Sequence, residues 1–178
     1  LVGSEMCIRD SLFTFSILIK FFTALNPVKF FQNLKDVVIF TFSTSSSSAS
    51  IPFTLKAAEE KYGIDKSIGT FTVPLGATIN MDGTAIMQGC ATFFLASLYG
   101  IDLGMNEIVT IVITATIASI GTAGIPSAGI IMLTVIFTQI GIPLEGITLL
   151  LGVDRLLDMM RTSVNVSGDI CILSLIHI

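Results

Sequence analysis

The sequence predicts an all-α membrane protein with two re-entrant helical hairpins, one broken transmembrane helix and a final transmembrane helix. Three observations predict it. Mean hydropathy is +0.89 and only 12% of the 178 residues are charged, against about 25% in soluble domains. Two long apolar stretches are interrupted by small and polar residues, at 43–50 and at 119–129. The run GVDRLLDMMRTSVNVSGD (152–169) then places Asp154, Asp158, Arg161, Thr162, Asn165 and Asp169 on one helical face at 100° per residue. Each charge at a bilayer centre costs on the order of 3 kcal/mol, so four on one stripe cost about 10 kcal/mol. Such a stripe must face a polar cavity, an ion or a bound solute.

The elements follow in order. Residues 12–27 (LFTFSILIKFFTALNP) read as the end of a preceding membrane helix, broken at Asn26 and Pro27. Residues 28–63 read as the first hairpin. One arm starts amphipathic and becomes apolar, the tip is STSSSSAS, and Pro52 fits the first position of the second helix, with Gly63 just past its end. Neither arm is long enough to span about 30 Å, so the hairpin must be buried in protein or line a cavity.

Residues 67–99 read as the broken helix. Its halves, SIGTFTVPLGATI and TAIMQGCATFFLASLY, flank the polar NMDGT of 80–84, and Pro74 and Gly76 weaken the turn before it. Residues 107–141 read as the second hairpin, in which SIGTAGIPSAG divides two apolar arms and a proline starts the second helix. Residues 144–169 form the final, charged helix. Interrupted hydrophobic segments in corresponding positions of two halves point to a solute site at the membrane midplane.

Composition excludes several classes of function. The net charge is −4, which leaves no basic surface for nucleic acid. Trp is absent and Tyr scarce, so Phe must supply the interfacial aromatics. Cys7, Cys90 and Cys171 have no metal-ligand spacing and read as small apolar fillers. His177 is the only histidine, so a buried histidine base is excluded. Gly124 to Gly129 has one residue too many before Ser127 for a G-x-S-x-G elbow, and no phosphate-binding loop is present. No enzyme is expected.

Residues 1–11 carry no basic segment followed by an apolar one, and the chain starts without methionine. Both ends, 1–11 and 170–178, are expected to be foreign to a fragment of a longer protein.

The candidate site residues have competing readings. The serine run at 45–48 reads either as a flexible linker or, beside Pro52 and two apolar arms, as an anion site of hydroxyls and helix N–H groups. Asp82 reads as a cap for the helix after it, or as a carboxylate beside unwound carbonyls, a hard-oxygen site for a group IA or IIA cation. Asp158 and Arg161 read as an i, i+3 pair. Alternatively, Arg161 captures a carboxylate and Asp158 an ammonium, which together fit a zwitterion with an extra carboxylate.

SSSSASIP, LGATINMDGTA, SIGTAGIPSAG and GVDRLLDMMRTSVNVSGD occur in this order, and together they closely resemble the glutamate/aspartate:sodium symporters. That dicarboxylate/amino acid:cation symporter family includes the excitatory amino-acid transporters. The resemblance covers about residues 12–169 and implies the transport-domain half of a protein whose scaffold domain forms a homotrimer. It implies a multi-pass protein of the plasma or inner cell membrane, in lipid. It further implies elevator-type symport of an acidic amino acid with Na⁺, with the second hairpin as gate.

By matching position, the resemblance implies that Arg161 binds the substrate side-chain carboxylate and Asp158 its amino group. Thr84, Thr162, Asn165, Ser45, Ser46, Ser47 and the tip from Ile125 to Gly129 are implied as further substrate contacts. One Na⁺ site would use carbonyls of Gly76, Asn80 and Asn165 with the Asp169 carboxylate. A second would use carbonyls of Thr78, Ser119, Ile120 and Thr122. A third would use Asn80 and Asp82, with its other ligands on a helix this chain lacks. Two family patterns are absent: an arginine where this chain has Ser45, and one where it has Met159. Arg155 is the nearest spare cation. A C4-dicarboxylate carrier, a proton-coupled carrier and a truncated, non-transporting fragment are the alternatives.

Overall fold

A computed structural model describes residues 2–23 and 25–176, with side chains from residue 9 onward. His177, Cys7 and most side chains of residues 1–11 therefore lie outside the described residues. Within them the chain is helical throughout, in the order α1 (Val2–Phe22), α2 (Pro27–Thr44), α3 (Ser47–Tyr62), α4 (Lys66–Ile79), α5 (Asp82–Leu98), α6 (Met105–Ile120), α7 (Ala128–Ile140) and α8 (Ile147–Ile176). A 3-10 turn at Leu144–Gly146 leads into α8.

Local sequence sets the boundaries. Asn26 caps α2, its side chain accepting the Val28 N–H at 2.9 Å, and Pro27 fits the first turn, where no N–H is needed. Ser45, left-handed with φ 51°, ends α2. Ser46 begins α3 by accepting the Ala49 N–H at 3.1 Å. Gly63 ends α3 at φ 67°, a conformation that favours glycine. Helices α2 and α3 pack together across their short turn, as do α6 and α7. At the far end of the first pair, the Lys61 ammonium lies 2.6 Å from Asp36.

Four features depart from the sequence reading. Helix α3 starts at Ser47, so Pro52 lies inside the helix rather than at its first position. The capping bond of Ser46, and the Ser50 hydroxyl donating to the Ser46 carbonyl at 2.7 Å, start the helix before the proline is reached. Asp82 is the first helical residue of α5, and the cap position belongs to Met81, so the capping reading of Asp82 falls. Pro126 lies in the tip before α7 rather than at its start.

The fourth departure is that α8 runs on past Asp169 to Ile176, because Ile170, Cys171 and Leu173 are buried against neighbouring helices.

No helix among the described residues is long and apolar enough to cross a membrane. The sequence reading took 67–99 as a broken transmembrane helix and 144–169 as a final one. The first divides into helices of 14 and 17 residues, each short of the roughly 20 that a span needs. Helix α8 has 30 residues, about 45 Å at 1.5 Å per residue, but it carries the charged stripe.

Helix α8 is the axis of the molecule. Its first turn, at Leu150, joins a core built from α5, α6 and α7 around Leu95, Leu133, Ile136 and Phe137. Its C-terminal half packs against α1 and α2 through Val164, Val166 and Ile170, opposite Phe15, Ile19, Phe30 and Leu34. Leu173 closes a smaller cluster with Ala58, Ile64 and Val73. The polar stripe of α8 lies between these apolar clusters, where the breaks and tips of the other helices converge.

Candidate functional site

All six stripe residues, Asp154, Asp158, Arg161, Thr162, Asn165 and Asp169, are buried, none more than 4% exposed. The period of the stripe explains why: one face of a single helix meets the α4–α5 break and both tips.

Arg161 is the centre of charge. Its Nε donates to Asp158 Oδ1 at 2.8 Å, and Nη2 lies 3.4 Å from Asp154 Oδ1, an ion pair without hydrogen-bond alignment. The i, i+3 pair is therefore formed. Pairing does not exhaust the arginine, because Nη1 and Nη2 are buried with no hydrogen-bond partner among the described residues. Two unmatched guanidinium nitrogens side by side are the geometry that a carboxylate satisfies. A Cβ at Gly129 would lie 2.9 Å from Nη1, so glycine is what lets α7 approach the arginine. The Gly129 carbonyl in turn accepts from Gln88 Nε2 at 3.2 Å.

A small pocket of about 10 Å³ lies beside this pair, room for about one water. Ser45, Ser47, Thr84, Ile125, Gly129, Asp158, Arg161, Thr162 and Asn165 line it, so nine of the expected substrate contacts come together. Ser46 does not line it. Its hydroxyl donates to the Gly124 carbonyl at 2.8 Å, and the Ser48 N–H donates to the same carbonyl at 3.1 Å. Ser46 thus joins the two tips. The Ser45 hydroxyl is buried in the pocket wall with no partner among the described residues.

Asn165 connects this pocket to a second polar group. Its Oδ1 accepts the Gly83 N–H at 2.8 Å, its Nδ2 lies 3.3 Å from Thr84 Oγ1, and its carbonyl accepts Asn80 Nδ2 at 3.1 Å. Asn80 Nδ2 also donates to Asp169 Oδ1 at 2.9 Å. Gly76 lies against the same carboxylate, so closely that a Cβ there would overlap it. The expected ligands of the first ion site, Gly76, Asn80, Asn165 and Asp169, are therefore neighbours. Oxygen ligands around one carboxylate suit a hard cation.

The other ion residues are more scattered. Ser119 and Thr122 are buried, and Thr122 lines the pocket, whereas Thr78 and Ile120 are exposed. Their helix ends are neighbours, since α4 packs on α6. Asp82 begins α5, two residues after Asn80. It is exposed, and opens onto a cleft of about 590 Å³ lined also by Asp10, Thr14, Ser119 and Ile120. Among the described residues no three His, Cys, Asp or Glu side chains form a metal-binding group. Arg155 is exposed and off the stripe.

Sequence reasoning missed three contributors and the partners of a fourth residue. Met81 lines the pocket, its sulfur 3.1 Å from Asn165 Nδ2. Nothing in a lone methionine signals that. Gln88 supports the Gly129 carbonyl. Asp154 was visible on the stripe one turn before Asp158 but had no assigned role. Ser127 reaches both carboxylates: its N–H donates to Asp158 Oδ2 at 2.7 Å and its hydroxyl to Asp154 Oδ2 at 2.7 Å.

Two helix–turn–helix units close their tips over a buried arginine–carboxylate site, beside the break between α4 and α5. A profile of the sodium:dicarboxylate symporter family matches residues 6–177, and the chain belongs to that family. It is 49% identical over 144 residues to excitatory amino acid transporter 3 of Mus musculus, covering 81% of this chain and 28% of that protein. It is 48% identical over 147 residues to excitatory amino acid transporter 1 of Rattus norvegicus, covering 83% and 27%. The figures for excitatory amino acid transporter 2 of Homo sapiens are 48% over 147 residues, 83% and 26%. The chain thus spans about a quarter of the length of these relatives. The family is one of transporters and not of enzymes.

Proposed function

We propose that the protein carrying this sequence is a secondary active symporter of an acidic amino acid, driven by Na⁺. The observation that supports this reading is Arg161, which lines the pocket beside Asp158 with two buried terminal nitrogens that have no hydrogen-bond partner among the described residues. Arg161 takes the substrate side-chain carboxylate, and Asp158 the ammonium. Ser45, Ser47, Thr84 and Thr162 offer hydroxyls to the remaining oxygens, and Gly129 and Ile125 close the pocket. The group Gly76, Asn80, Asn165 and Asp169 holds a co-transported Na⁺. Asn165 belongs to both groups, so filling one orders a residue of the other; this is a route for coupling. Thr78, Ser119, Ile120 and Thr122 supply a second ion site, and Asp82 with Asn80 part of a third.

In this reading α2–α3 and α6–α7 are re-entrant hairpins in lipid, and residues 28–169 form a transport domain. The domain slides as an elevator against a trimeric scaffold outside this sequence, in the cell membrane. The exposed apolar side chains of α6 and α7, among them Val112, Ile117 and Ile131, suit contact with lipid or scaffold.

The test is radiolabelled aspartate uptake by the intact protein in liposomes, with outside Na⁺ or choline and with succinate as competitor. Uptake that needs Na⁺ and resists succinate is expected. Uptake unchanged in choline would remove the Na⁺ coupling and leave the proton-coupled alternative. Succinate competing as well as aspartate would favour the C4-dicarboxylate alternative, and no uptake of either would overturn transport.

A further inference from the structure

Among the described residues, Ser127 is the one outside α8 that hydrogen-bonds both Asp154 and Asp158. It holds the left-handed conformation, φ 61°, at the start of α7. That conformation is uncommon for a residue with a side chain, and here it turns the N–H and the hydroxyl toward the same helix. The N–H donates to Asp158 Oδ2 and the hydroxyl to Asp154 Oδ2, both at 2.7 Å. Asp158 Oδ1 is already taken by Arg161 Nε at 2.8 Å. Both Asp158 oxygens therefore have N–H partners, one from an arginine and one from the tip.

We infer that Ser127 is a specificity-determining residue: its N–H holds the Asp158 oxygen that a substrate ammonium needs, and its hydroxyl anchors it there through Asp154. This rests on the reading of Asp158 as the ammonium partner. The Ser127 N–H weakens Asp158 Oδ2 as an acceptor, so an amine-bearing solute must share that oxygen with the N–H or displace it, and with it the Asp154 bond. A dicarboxylate has no group for Asp158, so it can bind Arg161 with both Ser127 bonds kept. The two bonds therefore compete with an amino acid and not with a dicarboxylate. This adds a role for Asp154, whose Oδ2 holds Ser127 while its Oδ1 stays 3.4 Å from Arg161 Nη2.

The experiment compares wild type, Ser127→Ala and Ser127→Gly in the intact protein in liposomes. It reads the half-saturating concentrations of aspartate and of succinate, each as an inhibitor of labelled aspartate uptake. Both variants delete the hydroxyl, and glycine also relaxes the left-handed backbone. Losing one hydrogen bond to a charged group moves such a competition by roughly tenfold. The expected result is an aspartate value lowered by about five- to tenfold in both variants, with the succinate value changed less than about twofold. Equal shifts for the two ligands, or no shift for aspartate, would overturn the role of Ser127 while leaving aspartate transport standing. A wild type that takes up no aspartate overturns the underlying reading, and the inference with it.

Discussion

Gly76 and Asp169 are so close that position 76 has no room for a side chain: a Cβ there would overlap the carboxylate. Asp169 is also held by Asn80 at 2.9 Å. Gly76→Ala therefore pushes the carboxylate away from the oxygens around it. Overpacking of this kind costs roughly 1–3 kcal/mol, or about 5- to 150-fold in an equilibrium constant. The Na⁺ concentration giving half-maximal aspartate uptake is expected to rise within that range. An unchanged Na⁺ dependence would separate Asp169 from ion binding.

The two tips meet at Gly124. A Cβ there would lie 2.7 Å from Ser48 Oγ and 2.9 Å from the Ala77 carbonyl. Gly124→Ala is expected to part the tips and break the bonds from Ser46 and Ser48 to the Gly124 carbonyl. Protease sensitivity of residues 121–127 should rise. The wild-type cleavage pattern in the variant would count against the tip contact.

Asn165→Ala removes the acceptor of the buried Gly83 N–H. An orphaned buried donor costs about 1–3 kcal/mol. Because Asn165 serves both polar groups, half-saturation for aspartate and for Na⁺ should rise together. Thr162→Ala should move the aspartate value alone. A shift in only one ligand for Asn165→Ala contradicts the shared role.

Leu133 is fully buried and Ile131 is 67% exposed on the same helix. Leu133→Ala should destabilise the protein by about 2–5 kcal/mol, and Ile131→Ala by no more than roughly 0.5 kcal/mol. Thermal unfolding of the purified protein in detergent measures both. Equal losses would mean that the α5–α6–α7 core is misplaced.

Much of this was legible before the structure. The stripe on α8 followed from spacing, because a 3.6-residue period puts positions 154, 158, 161, 162, 165 and 169 on one face whatever surrounds the helix. Asn26, Gly63 and the NMDGT break announced themselves through capping and backbone chemistry. Pro52 misled, because a serine cap six residues upstream starts α3 before the proline acts. The capping alternative for Asp82 fell for a similar reason, since a carboxylate at a helix start looks like a cap when it is the first residue inside. The extent of α8 was hidden because ICILSLI is apolar without polar punctuation, and only Ala58, Ile64, Val73 and their neighbours show where it packs. Met81 was not legible, and neither was the pairing of Ser127 with Asp154 and Asp158. Their roles depend on which tip lands on which helix, and that is a tertiary fact.

Arg161 carries the account, and one measurement tests it most directly: Na⁺-driven aspartate uptake by Arg161→Ala in the intact protein, matched to wild type for protein in the membrane. Removing the guanidinium takes away the two buried nitrogens without hydrogen-bond partners and leaves Asp154 and Asp158 without their cation. The account predicts that aspartate uptake falls to the background of empty liposomes. Aspartate uptake at the wild-type rate in that variant would contradict it.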